Sequence, residues 1–254
     1  MRNIAHRHKV ILGELDKEGF VRVQDLSERL GISEVTIRKD LKELESRKLL
    51  FRNHGGASPL SSLINDRHID EKEKVQVDEK LRIGAAANLL LGKNDRIIIA
   101  SGTTLLSFAQ KISITDQLTV ITSSVKVSMT LCYKPNVEVI QLGGTMRKSS
   151  ASVIGPYAES MLSELTCSKL FIGVDGIDLD FGLTTSNIGE AHLNQYMLNA
   201  AQEVIVLADS SKFGKRGFGK ICNINQIHHI ITDKDAPANA VQIIRDKGIK
   251  VTLV

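Results

Sequence analysis

The chain has 254 residues, 42% of them hydrophobic and 24% charged, which is ordinary for a globular protein with room for two domains. No stretch approaches the roughly 20 consecutive apolar residues of a membrane-spanning helix, and no apolar segment of a signal peptide follows the basic start. These features argue against a membrane-spanning or secreted protein, and we expect a cytoplasmic one.

The formal net charge of +4 is unevenly distributed along the chain. Residues 1–57 contain 12 Lys and Arg against 9 Asp and Glu, whereas the remaining residues contain 21 against 20. A basic N-terminal unit is typical of proteins that bind nucleic acid, although many domains with this charge bind none. The placement of the charge therefore carries more weight than its size.

The three cysteines indicate neither disulfides nor a metal site. Cys132, Cys167 and Cys222 lie far apart without a CxxC pair, and the histidines show no paired spacing. We expect buried thiols in a reducing compartment, and neither a metal ion nor a cofactor.

The N-terminal unit begins with a predicted helix over residues 7–17, in which Val10, Ile11 and Leu15 face a core. The stretch VQDLSERL predicts a second, shorter helix, and the glycine that follows it is typical of a helix end. The first unit of the chain is therefore helical over most of its first half.

A third helix is predicted to begin at Ser33, whose hydroxyl can accept hydrogen bonds from the first-turn amides. Ile37, Leu41 and Leu44 recur at helical spacing and form one apolar stripe. Two short helices joined by a tight turn with glycine make a helix-turn-helix motif, whose second helix lies in the major groove of DNA. The candidate contacts to bases are Thr36, Arg38 and Lys39, with Val35 as a candidate contact to a thymine methyl group. Ser33, at the start of the helix, is a further candidate DNA contact. The alternative is a solvated amphipathic helix without any DNA contact.

The segment after the third helix favours the DNA-binding interpretation. Residues 48–57 predict an apolar strand that leads into basic residues and a Gly-Gly turn, as in the wing of a winged helix-turn-helix. Residues 20–23 can pair with this strand. Lys42, Arg52 and His54 are then positioned for phosphates of the DNA backbone rather than for bases.

These N-terminal motifs resemble those of the DeoR family of bacterial transcription regulators. The matching positions are Arg7, Ile11, Leu15, Ser33, residues 36–41 and residues 54–57. The resemblance extends into the C-terminal part of the chain and covers nearly its whole length. It implies a sequence-specific DNA-binding regulator with an N-terminal winged helix-turn-helix domain, which we place at residues 1–57.

Residues 58–77 predict a linker between two domains. Ser-Pro, Ser-Ser and a charged run occur there with little periodicity, although the end of the segment has some helical character. Two interpretations stay open: the segment only spaces the domains, or it carries a signal from one to the other.

From residue 78 onward the pattern changes to strands that alternate with helices. Near-continuous apolar runs, typical of strands covered on both faces, occur at residues 96–100, 118–122, 137–142, 169–174, 203–208, 227–232 and 249–254. Helices are predicted at residues 80–91, 105–112, 125–132, 157–165, 190–202 and 238–247. The alternation predicts a mostly parallel α/β sheet in a second domain over residues 78–254.

Ligands of open α/β sheets bind beyond the carboxyl ends of the strands, where this chain places clusters of Gly, Ser, Thr and Asp. The cluster SGTT follows the first of these strands and opens a helix, so its amides and hydroxyls could cradle a phosphate. One such cluster is commonly only a turn, but five at one edge of a sheet predict an anion site. Further candidates are Ser123, Gly143, Gly144, Arg147, Asp175 and Lys212.

The motifs SGTT, LGGTMR, FIGVDGID, GLTT and ADSSKFG resemble the sugar-phosphate-sensing domain of DeoR-type regulators, which is related to ribose-5-phosphate isomerase and the glucosamine-6-phosphate deaminases. The resemblance implies that Asp175 and Glu190 lie near the sugar. The residues that it assigns to the phosphate are Ser101, Gly102, Thr103, Thr104 and Lys212. The run from LGGTMRKSSASVIGP to GLTTSN is most similar to the branch that senses amino-sugar or galactose-type phosphates.

Three positions depart from the family pattern. Ala100 stands where an Asp commonly precedes SGTT, Ser124 where an Asn follows the second strand, and Ser168 where an Asp precedes the FIG motif. We expect the first two to lie beside the site, so they bear on which sugar phosphate is bound.

The sequence therefore predicts a repressor of a carbohydrate catabolic operon, which a phosphorylated sugar releases from double-stranded DNA. Such regulators bind palindromic or repeated sites, so we expect a homo-oligomer, either a dimer or a tetramer. One alternative is a sugar-phosphate isomerase or deaminase with an N-terminal appendage, which would use Asp175, Asp178 and Glu190 as acid and base. Another is a second domain that only holds an oligomer together.

Overall fold

A computed structural model of the chain describes residues 4–18, 21–47, 49–53, 55–59, 66–114 and 116–254. His54 of the predicted wing lies outside these ranges. Within them, none of the helices combines the length and the apolar character that crossing a membrane requires.

The N-terminal unit contains three helices and a small antiparallel sheet, as predicted. The helices are α1 (Ile4–Glu18), α2 (Val23–Leu30) and α3 (Glu34–Ser46), and the strands are β1 (Val21–Arg22), β2 (Leu50–Asn53) and β3 (Gly56–Pro59). Strand β3 lies between the other two and pairs antiparallel with both. The wing is thereby joined to the short strand between α1 and α2, and the winged helix-turn-helix prediction is confirmed.

The apolar stripe of α3 fixes this helix against the rest of the unit. Ile37, Leu41 and Leu44 are at most 1% exposed and share a core with Ile11 and Leu15 of α1. Burying several large aliphatic side chains contributes roughly 1.5–3 kcal/mol each, so this small unit has a core of its own.

The turn before α3 has the chemistry that the sequence predicts. Gly31 ends α2 with a φ of +63°, and Ser33 Oγ accepts a hydrogen bond from the amide of Thr36 at 3.4 Å. Val10 is only partly buried, so its predicted place in the core is only partly fulfilled.

The second domain is built on a seven-stranded sheet that contains all seven predicted strands. They are β4 (Arg96–Ile99), β5 (Leu118–Thr122), β6 (Val137–Gln141), β9 (Cys167–Ile172), β12 (Ala201–Leu207), β14 (His229–Thr232) and β15 (Lys250–Leu253). The order is β15-β14-β12-β9-β4-β5-β6, and all neighbouring pairs are parallel. The chain runs outward from β4 to β6 and then returns to the other side of β4, which makes the gap between β4 and β9 the topological switch point.

Six helices cover both faces of this sheet. They are α5 (Val77–Asn88), α6 (Thr103–Lys111), α7 (Val125–Leu131), α8 (Pro156–Ser163), α9 (Ile188–Asn199) and α10 (Ala238–Asp246). Alternate strand residues point to opposite faces, so Ile97 and Ile99 pack under α5 to α7, whereas Ile98 and Ile172 pack under α8 to α10. The two apolar cores explain why the strands are continuously hydrophobic.

Two small β-structures were not predicted, whereas a third feature, a short helix, agrees with the helical character expected near the end of the linker. Strands β7 (Thr145–Arg147) and β8 (Ser152–Ile154) form a hairpin, strands β10 (Gly176–Asp178), β11 (Gly182–Thr185) and β13 (Gly219–Cys222) form an antiparallel sheet, and helix α4 (Ile69–Glu73) lies in the predicted linker. Each is at most five residues long, which is too short to show a hydrophobic period.

The cysteines are unpaired, but they are not all buried. Cys167 and Cys222 lie in the core, where burial raises the pKa of the Cys222 thiol to about 12. Cys132 is exposed at the C-terminal end of α7, so the expectation of a buried thiol is wrong for this residue.

Candidate functional site

The outward face of α3 carries most of the predicted DNA contacts. Val35 is 61% exposed, and Arg38, Lys39 and Lys42 are exposed beside it at helical spacing. The Arg38 guanidinium lies 2.5 Å from Glu34 in an exposed ion pair, which is weak enough to be exchanged for a DNA contact. The structure thus brings these side chains together on one accessible surface.

The other predicted contacts lie at the two ends of α3. The hydroxyls of Ser33 and Thr36 are 3.0 Å apart at the start of the helix. Arg52 lies on β2, where its amide donates to Glu45 of α3 at 3.0 Å and its guanidinium lies 3.7 Å from the same carboxylate. The wing strand is therefore tied to the helix that it flanks.

A buried ion pair that the sequence analysis missed holds α3 against α1. Arg7 donates two hydrogen bonds to Asp40, from Nε at 2.6 Å and from Nη2 at 2.7 Å, and His8 Nε2 lies 3.3 Å from the same carboxylate. Asp40 is only 4% exposed. The sequence contained a signal for this pair: Asp40 is next to Leu41 of the apolar stripe, and a buried carboxylate needs a partner.

A cavity of about 460 Å³ lies at the switch point of the second domain. Its walls include the residues that directly follow β4, β9 and β12, as expected for open α/β sheets. Seven of the predicted effector residues line it: Ser101, Gly102, Thr103, Thr104, Asp175, Glu190 and Lys212.

The N-terminus of α6 lines this cavity without a cap. Among the described residues no side chain caps α6, whereas Ser33, Ser124 and Asn187 cap α3, α7 and α9. Gly102 turns the chain into the helix with a φ of +139°, which L side chains rarely adopt. The first-turn amides and the positive end of the helix dipole are therefore available to an anion in the cavity.

Four lysines line the same cavity, and three of them, Lys80, Lys212 and Lys215, influence one another. Lys212 lies in a short 3-10 turn after β12, with its Nζ 3.8 Å from Asp209, and Lys80 of α5 is only 5% exposed. Burial lowers the pKa of both Lys80 and Lys215, and the positive charge of Lys212 lowers them further. A doubly charged anion would offset this repulsion, so the lysines favour a phosphate over a neutral ligand.

Asp175 lines the cavity with both of its oxygens engaged. Its Oδ1 accepts from Lys72 Nζ at 2.9 Å, and its Oδ2 accepts from Thr185 Oγ1 at 3.1 Å and from the Ser186 amide at 2.9 Å. Burial raises the pKa of Asp175, but Lys72 and the Ser186 amide together lower it by more, so the pKa lies below its ordinary value. The group is therefore a permanent anion and hydrogen-bond acceptor.

Glu190 lies at the start of α9 and joins two parts of the site. It accepts from Ser101 Oγ at 3.1 Å and lies 2.6 Å from the Arg147 guanidinium. Thr185 Oγ1 lies 3.2 Å from Glu190 and 3.1 Å from Asp175, so the two carboxylates compete for its single proton. Carboxylate and hydroxyl groups in this arrangement can form hydrogen bonds to the hydroxyls of a sugar.

Four predicted effector residues lie outside the cavity lining: Ser123, Gly143, Gly144 and Arg147. Strand order explains the first three, because β5 and β6 lie away from the switch point and the β7–β8 hairpin sits beside their ends. The glycine at position 144 is required by the local structure, since a Cβ there would lie 2.5 Å from the Ile154 carbonyl oxygen.

Arg147 differs from its predicted role as a partner for an anion. It is 9% exposed, and its guanidinium is already paired with Glu190 and with Asp66. Two carboxylates compensate its charge, so it orients Glu190 rather than attracting a ligand.

The described part of the predicted linker belongs to this site. Asp66, Arg67, Ile69 and Lys72 line the cavity, and Ile69 is only 3% exposed. The interpretation of a plain spacer therefore does not hold for residues 66–77. Its cavity-lining residues are ones that the sequence analysis did not single out.

The positions that depart from the family pattern lie off the cavity. Ser124 caps α7 by accepting from the Val127 amide at 3.3 Å, and Ala100 is buried. Ser168 donates to Asp95 at 2.9 Å near the start of β9, at the opposite end of the sheet. None of the three lines the cavity, but Ala100 directly precedes the cavity-lining Ser101 and so lies beside the site, as expected.

Asp178, one of the three acid and base candidates of the enzyme hypothesis, does not line this cavity, whereas Asp175 and Glu190 do. Arg216 donates to both oxygens of Asp178, at 2.7 and 3.0 Å, and the Phe181 amide donates to it at 2.7 Å. Separately, the described residues contain no group of three or more His, Cys, Asp or Glu side chains that could hold a metal ion.

Comparisons with known proteins agree with both parts of the structure. The model of the DeoR-like helix-turn-helix domain matches residues 7–62, and that of the DeoR C-terminal sensor domain matches residues 75–234. An uncharacterised HTH-type transcriptional regulator of Bacillus subtilis strain 168, YulB, is 36% identical over 99% of this chain and 97% of its own. The lactose phosphotransferase system repressor of Staphylococcus epidermidis is 33% identical over 87% of this chain and 88% of its own.

Among solved structures, the ribose 5-phosphate isomerase A of Methanocaldococcus jannaschii is 18% identical, covers 54% of each chain and superposes with a TM-score of 0.41. The matching family models and the relatives named here are those of transcriptional regulators rather than enzymes. This chain belongs to the DeoR family of transcriptional regulators.

Proposed function

We propose that this protein represses a carbohydrate catabolic operon and that a phosphorylated sugar bound in the switch-point cavity relieves the repression. The observation that carries the proposal is the uncapped N-terminus of α6, which shares one cavity with Lys80, Lys212 and Lys215. That end of the cavity suits a phosphate, and the hydrogen-bonding groups of Asp175 and Glu190 suit sugar hydroxyls.

The second support is the charge balance of the cavity. Lys72 is paired with Asp175, and Arg147 is paired with Glu190, so these charges compensate one another. Lys212 lies 3.8 Å from Asp209, so Lys80 and Lys215 are the cavity charges that favour one anionic group in an otherwise polar ligand. A sugar monophosphate has this chemistry. The sequence is most similar to the family branch that senses amino-sugar or galactose-type phosphates, so we favour a ligand of this kind.

The mechanism is a population shift between conformations or assemblies of the repressor. The effector prefers a form in which paired α3 helices no longer match the spacing of the operator. Reading two half-sites requires at least two copies of α3, so the working form is a homo-oligomer, acting in the cytoplasm where the DNA is.

Thermal stabilisation by a panel of sugar phosphates tests the cavity assignment, since a ligand of the folded state raises its stability by mass action. The Lys212→Ala variant should weaken the binding of the active compound about tenfold or more, because it removes a charge-assisted contact. Lys234→Ala is the matched control, because Lys234 is exposed after β14 and does not line the cavity. Equal loss in both variants, or stabilisation by none of the compounds, would overturn the proposal.

A further inference from the structure

Residues 66–76, which we call the connector, precede the first helix of the second domain and include helix α4. The connector packs onto the cavity through Ile69, whose side chain is 3% exposed and whose amide donates to the Ser149 carbonyl at 2.7 Å. An isolated helix of five residues is not stable in water, so the contacts of α4 with the domain hold it in place.

Ionic contacts hold the connector at both ends. At its beginning, Asp66 accepts from Arg147 and from Ser149 Oγ, the latter at 2.8 Å. On α4, Lys126 of α7 lies 2.7 Å from Asp70 and 2.6 Å from Glu73. These contacts are partly exposed and hence individually weak, so the docked state is open to control by a ligand.

The innermost contact of the connector is made by Lys72. The Lys72 side chain is 30% exposed and lines the cavity, and its ammonium lies 2.9 Å from Asp175. Lys80 of α5 donates to the carbonyl oxygens of Lys72 and Val75, at the C-terminal end of α4. The same two ammonium groups therefore face the cavity and hold the connector.

We propose that the connector is a lid that an anion in the cavity fixes onto the second domain, with Lys72 as the positioning residue that links the two. A bound phosphate adds attraction to Lys72 and Lys80 without removing the contact of Lys72 with Asp175. It also offsets the repulsion among the cavity lysines, which opposes the docked arrangement. Occupancy therefore stabilises the docked connector over an undocked one.

This inference rests on the proposed function. It explains how a ligand in the cavity affects the N-terminal DNA-binding unit. The connector follows the wing strand β3 in the chain and precedes α5. When the connector is fixed on the second domain, α3 has fewer orientations open to it than when the connector is undocked. A ligand that favours the docked state therefore couples the cavity to DNA binding.

Amide hydrogen exchange of residues 67–76 in the full chain tests the lid, with inorganic phosphate as the probe and chloride at equal ionic strength as the reference. If phosphate binds only the docked form, exchange should slow about tenfold at about ten times the dissociation constant of phosphate. Lys72→Met should abolish most of this phosphate-dependent slowing, and Lys72→Arg should restore part of it. Lys74→Met removes the same charge from an exposed position next to α4 and should respond as the unmodified chain does.

The possible outcomes separate a failure of the lid proposal from a failure of the proposed function. Phosphate that raises the melting temperature but leaves exchange of residues 67–76 unchanged overturns the lid and leaves the proposed function standing. Equal phosphate-dependent slowing in Lys72→Met and Lys74→Met overturns the role of Lys72. Absence of stabilisation by phosphate and by every sugar phosphate tested overturns the proposed function, and the lid with it.

Discussion

The buried pair between Arg7 and Asp40 gives a prediction that can be worked out from the geometry. Their side chains are 11% and 6% exposed, and the two hydrogen bonds are 2.6 and 2.7 Å long. Arg7→Met leaves the Asp40 carboxylate buried with only His8, at 3.3 Å, as its remaining described partner. We expect a loss of about 3 kcal/mol in the stability of the N-terminal unit, roughly a hundredfold in its folding equilibrium.

The double variant Arg7→Met/Asp40→Leu separates the unpaired charge from the loss of the pair itself. It leaves no buried charge between α1 and α3, so most of the lost stability should return. Arg47→Met is the control, because its pair with Glu43 on the surface of α3 should contribute less than about 1 kcal/mol.

The assay is hydrogen exchange of the α3 amides in the full chain. The sequence has no tryptophan, and its three tyrosines, Tyr133, Tyr157 and Tyr196, all belong to the second domain, so intrinsic fluorescence would not report the N-terminal unit. If the α3 amides of the double variant exchange as fast as those of Arg7→Met, the unpaired Asp40 carboxylate is not the cause of the lost stability.

Three further predictions concern DNA, pH and the hairpin. Lys42→Ala should weaken binding to all DNA sequences alike and reduce the salt slope in fluorescence polarisation by about 0.9, and an unchanged slope would show that Lys42 contacts no phosphate. The affinity for inorganic phosphate, measured by calorimetry, should fall as the pH rises through the pKa values of Lys80 and Lys215, because only the charged amines attract the anion. Burial lowers both pKa values, so the fall should begin below the ordinary lysine pKa of about 10.4, and constant affinity up to that pH would contradict the assignment. Gly144→Ala should lower stability by about 1–3 kcal/mol. The φ of Gly144 is +148°, and a Cβ there would lie 2.5 Å from the Ile154 carbonyl oxygen. Gly143→Ala is the control, because a Cβ at Gly143 meets nothing within 4 Å. Equal melting temperatures of the two variants would contradict this structural role of Gly144.

Much of the fold could be predicted because its signals are local. Each strand of the large sheet is rich in β-branched and aliphatic residues, and the long helices place apolar residues in the two cores. The chemistry of the turn before α3, with Gly31 and Ser33, lies within three residues of the helix that it starts. Such features need no knowledge of the rest of the chain.

The site could be predicted only in part, because its geometry depends on strand order. The clusters after β4, β9 and β12 meet at the switch point, whereas those after β5 and β6 do not, although all five look alike in sequence. The pairs Lys72–Asp175 and Asp66–Arg147 join residues 103 and 81 positions apart, so no local pattern reveals them. The role of the connector therefore becomes visible only in three dimensions.

Fluorescence polarisation of the full chain on its own upstream DNA, with and without each sugar phosphate that stabilises the protein, tests DNA binding and effector response together. We expect sequence-specific binding that one phosphosugar weakens, with the response reduced in Lys212→Ala and retained in Lys234→Ala. Specific binding that no stabilising phosphosugar changes, or a lack of sequence-specific binding at any salt concentration, would contradict the proposed function.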